Sequence, residues 1–246
     1  MILQSDSTDP HYAPACRWSK PEKLHESGVV VGSDEHQFDL LQYWYSQFRI
    51  HNPDVPVAIA DFGMTAEKID WCKQNGHFIA KPEHSATRDQ KWYYKPFAIL
   101  NAPFKRMAWL DIDTEIRGSI APLFDHTADP SKVAMCFDPF TTQKVCDSPT
   151  NSGVIVTAYG NPVISEWARR CMGNCYGYYS DQQVLDSIKS YMKDNFILMP
   201  PEFNWLSLMG FNDKALIYHH VGPNGKQTLR YRIHLQRGGK FIIGPN

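Results

Sequence analysis

Apolar residues in this chain fall into short runs and helical stripes that alternate along its length. Gly28 to Gly32 (Gly-Val-Val-Val-Gly) is an apolar run too short for a helix and bounded by glycines, which predicts a first buried strand. Phe38, Leu41, Tyr45 and Phe48 recur at helical spacing after it. Val55 to Ala60 predicts a second strand, ending at Asp61-Phe62-Gly63. Thr65 is placed to cap the next helix, which runs through Ile69 and Trp71 to a stop at Gly76, before a third strand at Phe78-Ile79-Ala80. Lys91 to Leu100 reads as helical, with Pro96 acceptable only in the first turn, because an interior proline costs about 3 kcal/mol. Met107 to Asp111 is the fourth strand. In the second half, Val133 to Phe137, Gly153 to Thr157 and Ala215 to Tyr218 predict strands, and Val163 to Cys171 and Asp181 to Met192 predict helices. Residues 1–27 are polar and proline-bearing and read as an irregular lead-in.

Strands alternating with helices in this way predict an α/β fold with a mainly parallel sheet flanked by helices. In such sheets ligands sit beyond the carboxyl ends of the strands. Three predicted strand ends are acidic: Ser33-Asp34, Asp61, and the pair Asp111 and Asp113 in Trp109-Leu110-Asp111-Ile112-Asp113-Thr114. Two carboxylates at the end of an apolar run are costly to bury without a compensating charge. A divalent cation of the Mg²⁺ or Mn²⁺ kind, which takes oxygen ligands and bridges phosphates, is the natural compensation. The competing reading of Asp61 is the opening of a turn at Asp-Phe-Gly.

The 246 residues are 43% hydrophobic and 13% aromatic with a formal net charge of −1, enough chain for a sizeable core and no general pull towards nucleic acid. No apolar stretch approaches the roughly 18 residues needed to span a bilayer, and the start of the chain lacks a charged-then-apolar signal pattern. The six cysteines (Cys16, Cys72, Cys136, Cys146, Cys171 and Cys175) are scattered, so free thiols and a cytoplasmic location are expected. Arg230, Arg232, His234, Arg237 and Lys240 make a basic tail, read as a solvated face with phosphate or acidic-acceptor contact as the lesser alternative.

Several groups, in order, resemble one family. Lys91-Trp92-Tyr93-Tyr94-Lys95, the stretch Met107 to Phe124 with its Asp-x-Asp, Asn151-Ser152-Gly153-Val154, Ser180-Asp181-Gln182-Gln183, Phe203-Asn204-Trp205 and His219-His220-Val221-Gly222 are similar to the motifs of the GT-A glycosyltransferases, in particular the glycogenin-like and galactinol-synthase-like group. The resemblance covers roughly residues 28–226. It implies a single GT-A (Rossmann-like) domain over 28–246, with a nucleotide-binding half of about 28–125 and an acceptor-side half of about 126–246 that carries a smaller mixed sheet. The loop His219 to Lys226 departs from the family, since Lys226 comes four residues after Gly222 instead of three and no Pro-Trp follows.

The same resemblance implies roles. Asp111, Asp113 and His219 (or its neighbour His220) hold Mn²⁺ or Mg²⁺, with Asp111 sharing its carboxylate with the sugar or ribose. Lys95, Gly222 and Lys226 serve the diphosphate. Val31, Gly32 and Ser33 receive the base, with Asp61 on uracil or ribose. Asn151, Asp181 and Gln182 face the sugar, with Ser180 or Asp181 also placed to cap a helix. Tyr179 and Trp205 are available to stack on a sugar. The implied activity is metal-dependent transfer of a hexose, with retention, from a nucleotide sugar such as UDP-glucose or UDP-galactose. The acceptor stays open between a glycan, a protein, a polyol and a modified nucleic acid, as does the oligomeric state. A sugar nucleotidyltransferase and a non-catalytic nucleotide-sugar or glycan-binding module are the alternatives. A haloacid-dehalogenase phosphatase fits less well, because Glu115 stands where its motif needs Thr or Val.

Overall fold

The computed structural model describes residues 24–81, 91–127, 129–141, 145–172 and 177–238. Most of the expected lead-in, together with Cys16, Cys175 and Lys240, lies outside the described residues. Within them a seven-stranded sheet has the order β3-β2-β1-β4-β7-β6-β8. Its strands are β1 (His25–Ser33), β2 (Val57–Asp61), β3 (His77–Ile79), β4 (Phe104–Leu110), β6 (Val133–Phe137), β7 (Thr150–Ala158) and β8 (Phe196–Leu198). All are parallel except β7, which runs against both of its neighbours. The fold class is therefore the expected one. β1 begins at His25, inside the stretch read as lead-in, because His25 and Ser27 already pair with Phe104 and Arg106 of β4.

Helices cover both faces. On one side α1 (Phe38–His51), α2 (Ala66–Asn75) and α6 (Gly222–Gln236) pack on Val29, Val31, Ile59 and Leu110. On the other, α3 (Lys95–Asn101), α4 (Pro162–Met172) and α5 (Asp181–Lys189) pack on Val30, Met107, Trp109 and Ile155. A strand lined by apolar residues on both faces, such as Val29-Val30-Val31, has to be central to such a sandwich. α1 buries Leu41 and Phe48 of the predicted stripe together with Leu40 and Trp44; Phe38 and Tyr45 instead flank Trp71 of α2 with ring centroids 5.3 and 5.4 Å away. Pro96 does lie in the first turn of α3, after a short 3₁₀ segment at Lys91–Tyr94. Thr65 stands at the α2 N-cap position without a capping bond from its side chain.

A second, mixed sheet has the order β5-β10-β9, formed by β5 (Thr114–Ile116), β9 (Trp205–Leu206) and β10 (Ile217–His219). β10 is antiparallel to β5, with His219 opposite Thr114, and parallel to β9. Two expectations are corrected at the C-terminal end. The supposed loop through Lys226 becomes helix at Gly222, and Arg230, Arg232 and His234 of the supposed basic tail lie within α6. Pro223 fits because the first turn of a helix has no use for its missing N–H. Gly225 is needed because a Cβ there would overlap the backbone carbonyl of His220. No described helix is long and apolar enough to cross a membrane.

Candidate active site

The parallel strands β1, β2 and β4 send their carboxyl ends to one edge of the sheet, and reversed β7 brings its start, Thr150 to Gly153, to the same edge. A cleft of about 400 Å³ opens there. Its floor is the β4–β5 turn: Thr114 N and Oγ1 donate to the Asp111 carbonyl at 3.1 and 2.6 Å, which closes the turn and sets Asp111 and Asp113 side by side. Asp111 N donates to Gly153 O at 2.8 Å, and Trp109 Nε1 donates to Asp111 Oδ1 at 2.7 Å.

His219 comes from β10 and completes the group. Its Nε2 lies 3.3 Å from Asp113 Oδ1 and 4.0 Å from Asp111 Oδ2, and one ligand atom from each of the three residues falls within 4.8 Å of the others. The imidazole lies on Gly153, where a Cβ would overlap its Cε1. His220 faces away and meets Glu115 Oε2 at 3.0 Å, so His219 is the histidine of the cleft. Two carboxylates and one imidazole nitrogen, largely buried and open to a cleft on one side, are a donor set able to hold a divalent cation.

Two lysines flank this group. Lys95, at the start of α3, is buried with its Nζ 3.0 Å from Asp111 Oδ2 and 3.3 Å from Asp181 Oδ2. Burial alone would lower its basicity, but the carboxylates of Asp111 and Asp181 outweigh it and hold the ammonium above the ordinary lysine value. Lys226, four residues after Gly222 and therefore one helical turn along α6, reaches Asp113 Oδ2 at 3.5 Å. Burial opposes ionisation of Asp113, yet His219, Lys226 and Lys95 together keep its carboxyl below the usual range. Asp181 is shifted the other way: burial raises it, Lys95 works against that, and Asp111 adds to it. Ser180 caps α5 by accepting from Gln183 N at 3.2 Å, which aims Asp181 and Gln182 at the cleft.

The structure thus gathers Gly32, Ser33, Lys95, Asp111, Asp113, Asn151, Asp181, Gln182, His219, Gly222 and Lys226 around one space. Val31 and Asp61 do not line it. Val31 is fully buried, and Asp61 Oδ1 accepts from Gly63 N and Met64 N, both at 2.7 Å, as the turn reading of Asp-Phe-Gly requires. Tyr179 and Trp205 are also outside the lining, whereas Trp92, quoted only as part of a motif, lines it. Asp138 and Asn204 carry no role in the sequence reading. Asp138 Oδ2 accepts from Asn151 Nδ2 and Gln182 Nε2, each at 3.1 Å, and buried Asn204 joins Asn151 to His219. The motif position of Asn204 beside Phe203 was the one available signal; Asp138 had none.

No family model matches the sequence, and no curated protein matches it. Solved structures do. The galactosyltransferase LgtC, in complex with donor and acceptor sugar analogues, superposes with a TM-score of 0.60 at 16% identity over 87% of this chain and 97% of that one. The glycosyltransferase GlyE of Streptococcus pneumoniae TIGR4, in its apo form, gives 0.59 at 14% identity over 80% of this chain and 55% of that one. The fold is the GT-A glycosyltransferase fold. Mouse xyloside xylosyltransferase 1 is more distant at 0.50, with 11% identity over 79% of this chain and 97% of that one. The GT-A arrangement accounts for the layout described above, with the parallel half carrying the strand-end acids and the second, mixed sheet delivering His219.

Proposed function

We propose that this chain is a metal-dependent glycosyltransferase that moves a hexose from a nucleotide sugar, in the first instance a UDP-sugar, to an acceptor hydroxyl with retention. The observation that carries the reading is the meeting of Asp111, Asp113 and His219, from two distant segments, beside two lysines in one cleft. LgtC, whose solved complex holds donor and acceptor sugar analogues, supports the choice of reaction class. In this reading Gly32 and Ser33 receive the base, Asp111, Asp113 and His219 hold Mn²⁺, and Lys226 and Lys95 face the diphosphate. A cation bound there supplies Lewis acidity, offsetting the charge that grows on the departing nucleoside diphosphate.

The protein's own groups do the remainder. Lys226 is held near Asp113 but is partly exposed, so it is free to turn towards a phosphate oxygen. Buried Lys95 pairs with Asp111 and Asp181 and adds positive charge on the sugar side of the cleft. The Oδ2 atom of Asp181 is shared between Lys95 and Ser152 Oγ, at 3.3 and 3.1 Å. A carboxylate engaged in this way fits attack on the face the diphosphate leaves, with the hydroxyl proton passing to a departing phosphate oxygen, better than it fits a covalent glycosyl intermediate. The test is release of UDP from UDP-glucose and UDP-galactose with and without Mn²⁺. Slow release that needs Mn²⁺ supports the reading. Release of inorganic phosphate, or no UDP from any donor in a screen, overturns it.

A further inference from the structure

The buried side chains behind His219 form a chain of hydrogen bonds whose donor and acceptor roles can be assigned from its two fixed ends. At one end Gly153 N–H, which can only donate, lies 3.0 Å from Asn151 Oδ1. That atom of Asn151 is therefore the amide oxygen. The other amide atom of Asn151 faces Asp138 Oδ2 at 3.1 Å, and a carboxylate oxygen requires a donor there, so the same orientation is reached independently. Asp138 is itself held. Its Oδ1 accepts from Phe140 N at 2.9 Å, its backbone N donates to Pro149 O at 3.0 Å, and Gln182 Nε2 is a second donor to Oδ2 at 3.1 Å.

The assignment then propagates. With Asn151 Oδ1 as acceptor, the Asn204 atom 2.9 Å from it must be Nδ2. Asn204 Oδ1 is left facing His219 Nδ1 at 3.0 Å, and an amide oxygen can only accept. His219 must carry its proton on Nδ1. Its Nε2 is then the nitrogen aimed at Asp113 and Asp111, and on the neutral ring the one that offers a lone pair to a cation. Asn204, Asn151, Asp138 and His219 are all buried, so water does not compete for these bonds.

We infer that Asn204, oriented by Asn151 and Asp138, is a positioning residue that fixes His219 in the Nδ1–H tautomer and so presents Nε2 for coordination. The consequence for metal binding rests on the function proposed above; the tautomer itself does not. A bond from a ligating histidine's other nitrogen sets both ring orientation and ligand basicity, and losing it typically weakens metal binding about 10–100-fold. Two measurements test this. The first is the ¹⁵N spectrum of His219 in the unaltered, metal-free protein, recorded on the neutral ring at alkaline pH and assigned against His219→Gln. The second is Mn²⁺ affinity by titration calorimetry in the unaltered protein, Asn204→Leu and Asp138→Asn, with circular dichroism as the check on folding.

Expected are a single Nδ1–H tautomer in the unaltered protein, mixed tautomers with Mn²⁺ binding about tenfold weaker or worse in Asn204→Leu, and a smaller loss in Asp138→Asn. A His219 that carries its proton on Nε2, or an even mixture, in the unaltered protein overturns the inference whether or not the variants fold. So does a folded Asn204→Leu with tautomer and affinity unchanged. A protein that shows the Nδ1–H tautomer but binds no Mn²⁺ supports the relay and removes the metal from the proposed function.

Discussion

Two adjacent histidines build two clusters of similar chemistry, and only one of them is open. His219 joins Asp113, Asp111 and Lys226, with Lys95 and Asp181 beyond. His220 joins Glu115, which also receives Arg117 Nε at 3.0 Å and Arg232 Nη1. The first holds three carboxylates against two lysines and faces a cleft. The second holds one carboxylate against two guanidiniums, with donors on both of its oxygens. A cation therefore has a place in the first and none in the second. What the second cluster does is anchor α6. Arg232 ties that helix to the small sheet, while Arg230 reaches Asp39 and the His36 carbonyl at the start of α1. Lys226 is carried into the cleft on that anchored helix.

The comparison breaks most sharply at Asp113. In Asp113→Ala the open cluster loses a metal ligand and the partner of both His219 and Lys226. The expected result is a fall in Mn²⁺-dependent UDP release on the order of 10³-fold, since a cation's stabilisation of developing charge is worth several kcal/mol. Calorimetry should show Mn²⁺ binding lost with it. A variant that keeps normal turnover would remove the metal site.

Glu115→Gln is the opposite case. It should lower unfolding stability by about 2 kcal/mol, as expected for hydrogen bonds to charged groups, while Mn²⁺ affinity stays within about twofold. Burial works to raise the Glu115 carboxyl, but His220, Arg117 and Arg232 outweigh it and bring it down to about 2. A carboxyl lowered on folding contributes stability that is full above its unfolded value and lost as pH falls through its folded one. The stability gap between the unaltered protein and Glu115→Gln, followed by urea melts, should therefore close between about pH 4.5 and 2. A gap that persists in acid would mean that packing holds this cluster together.

The smallest effect is expected at Asp186, a buried carboxylate with no cation in contact among the described residues. It accepts from Thr150 N and Oγ1 at 3.0 and 2.9 Å, while its Oδ2 has no hydrogen-bond partner among the described residues. Burial pushes its carboxyl up to about 6. The sign is the reverse of that for Glu115: its contribution is full below the unfolded value of 3.8 and falls as pH rises towards 6. Asp186→Asn keeps the acceptor for Thr150 without the charge, so it should gain about 1 kcal/mol over the unaltered protein at pH 8 and nothing at pH 4. Equal stability of the two proteins at both pH values would rule this out.

Most of the site was legible because its signals are local. Acids at the ends of apolar runs, and His219 after the last strand, can be seen within a few residues. Lys226 was harder, because Gly-Pro-Asn-Gly resembles a loop when the proline's tolerance for a first helical turn is overlooked, and because only the three-dimensional approach of His220 explains Gly225. Asp61 carried two readings for a related reason: a strand-end acid can serve its own turn, as its bonds to Gly63 and Met64 show, as readily as a ligand. Asp138 and Asn204 were out of reach. Their partners are separated from them in sequence by 13, 44, 53 and 15 residues, and nothing local marks an amide as one part of a chain.

Gly153 has a consequence out of proportion to its size. The ring of His219 rests where any side chain at 153 would stand, so one added methyl group would push the imidazole aside while leaving both aspartates and both lysines in place. Position 153 therefore decides whether the imidazole carried by the small sheet can reach the aspartates at the edge of the large one.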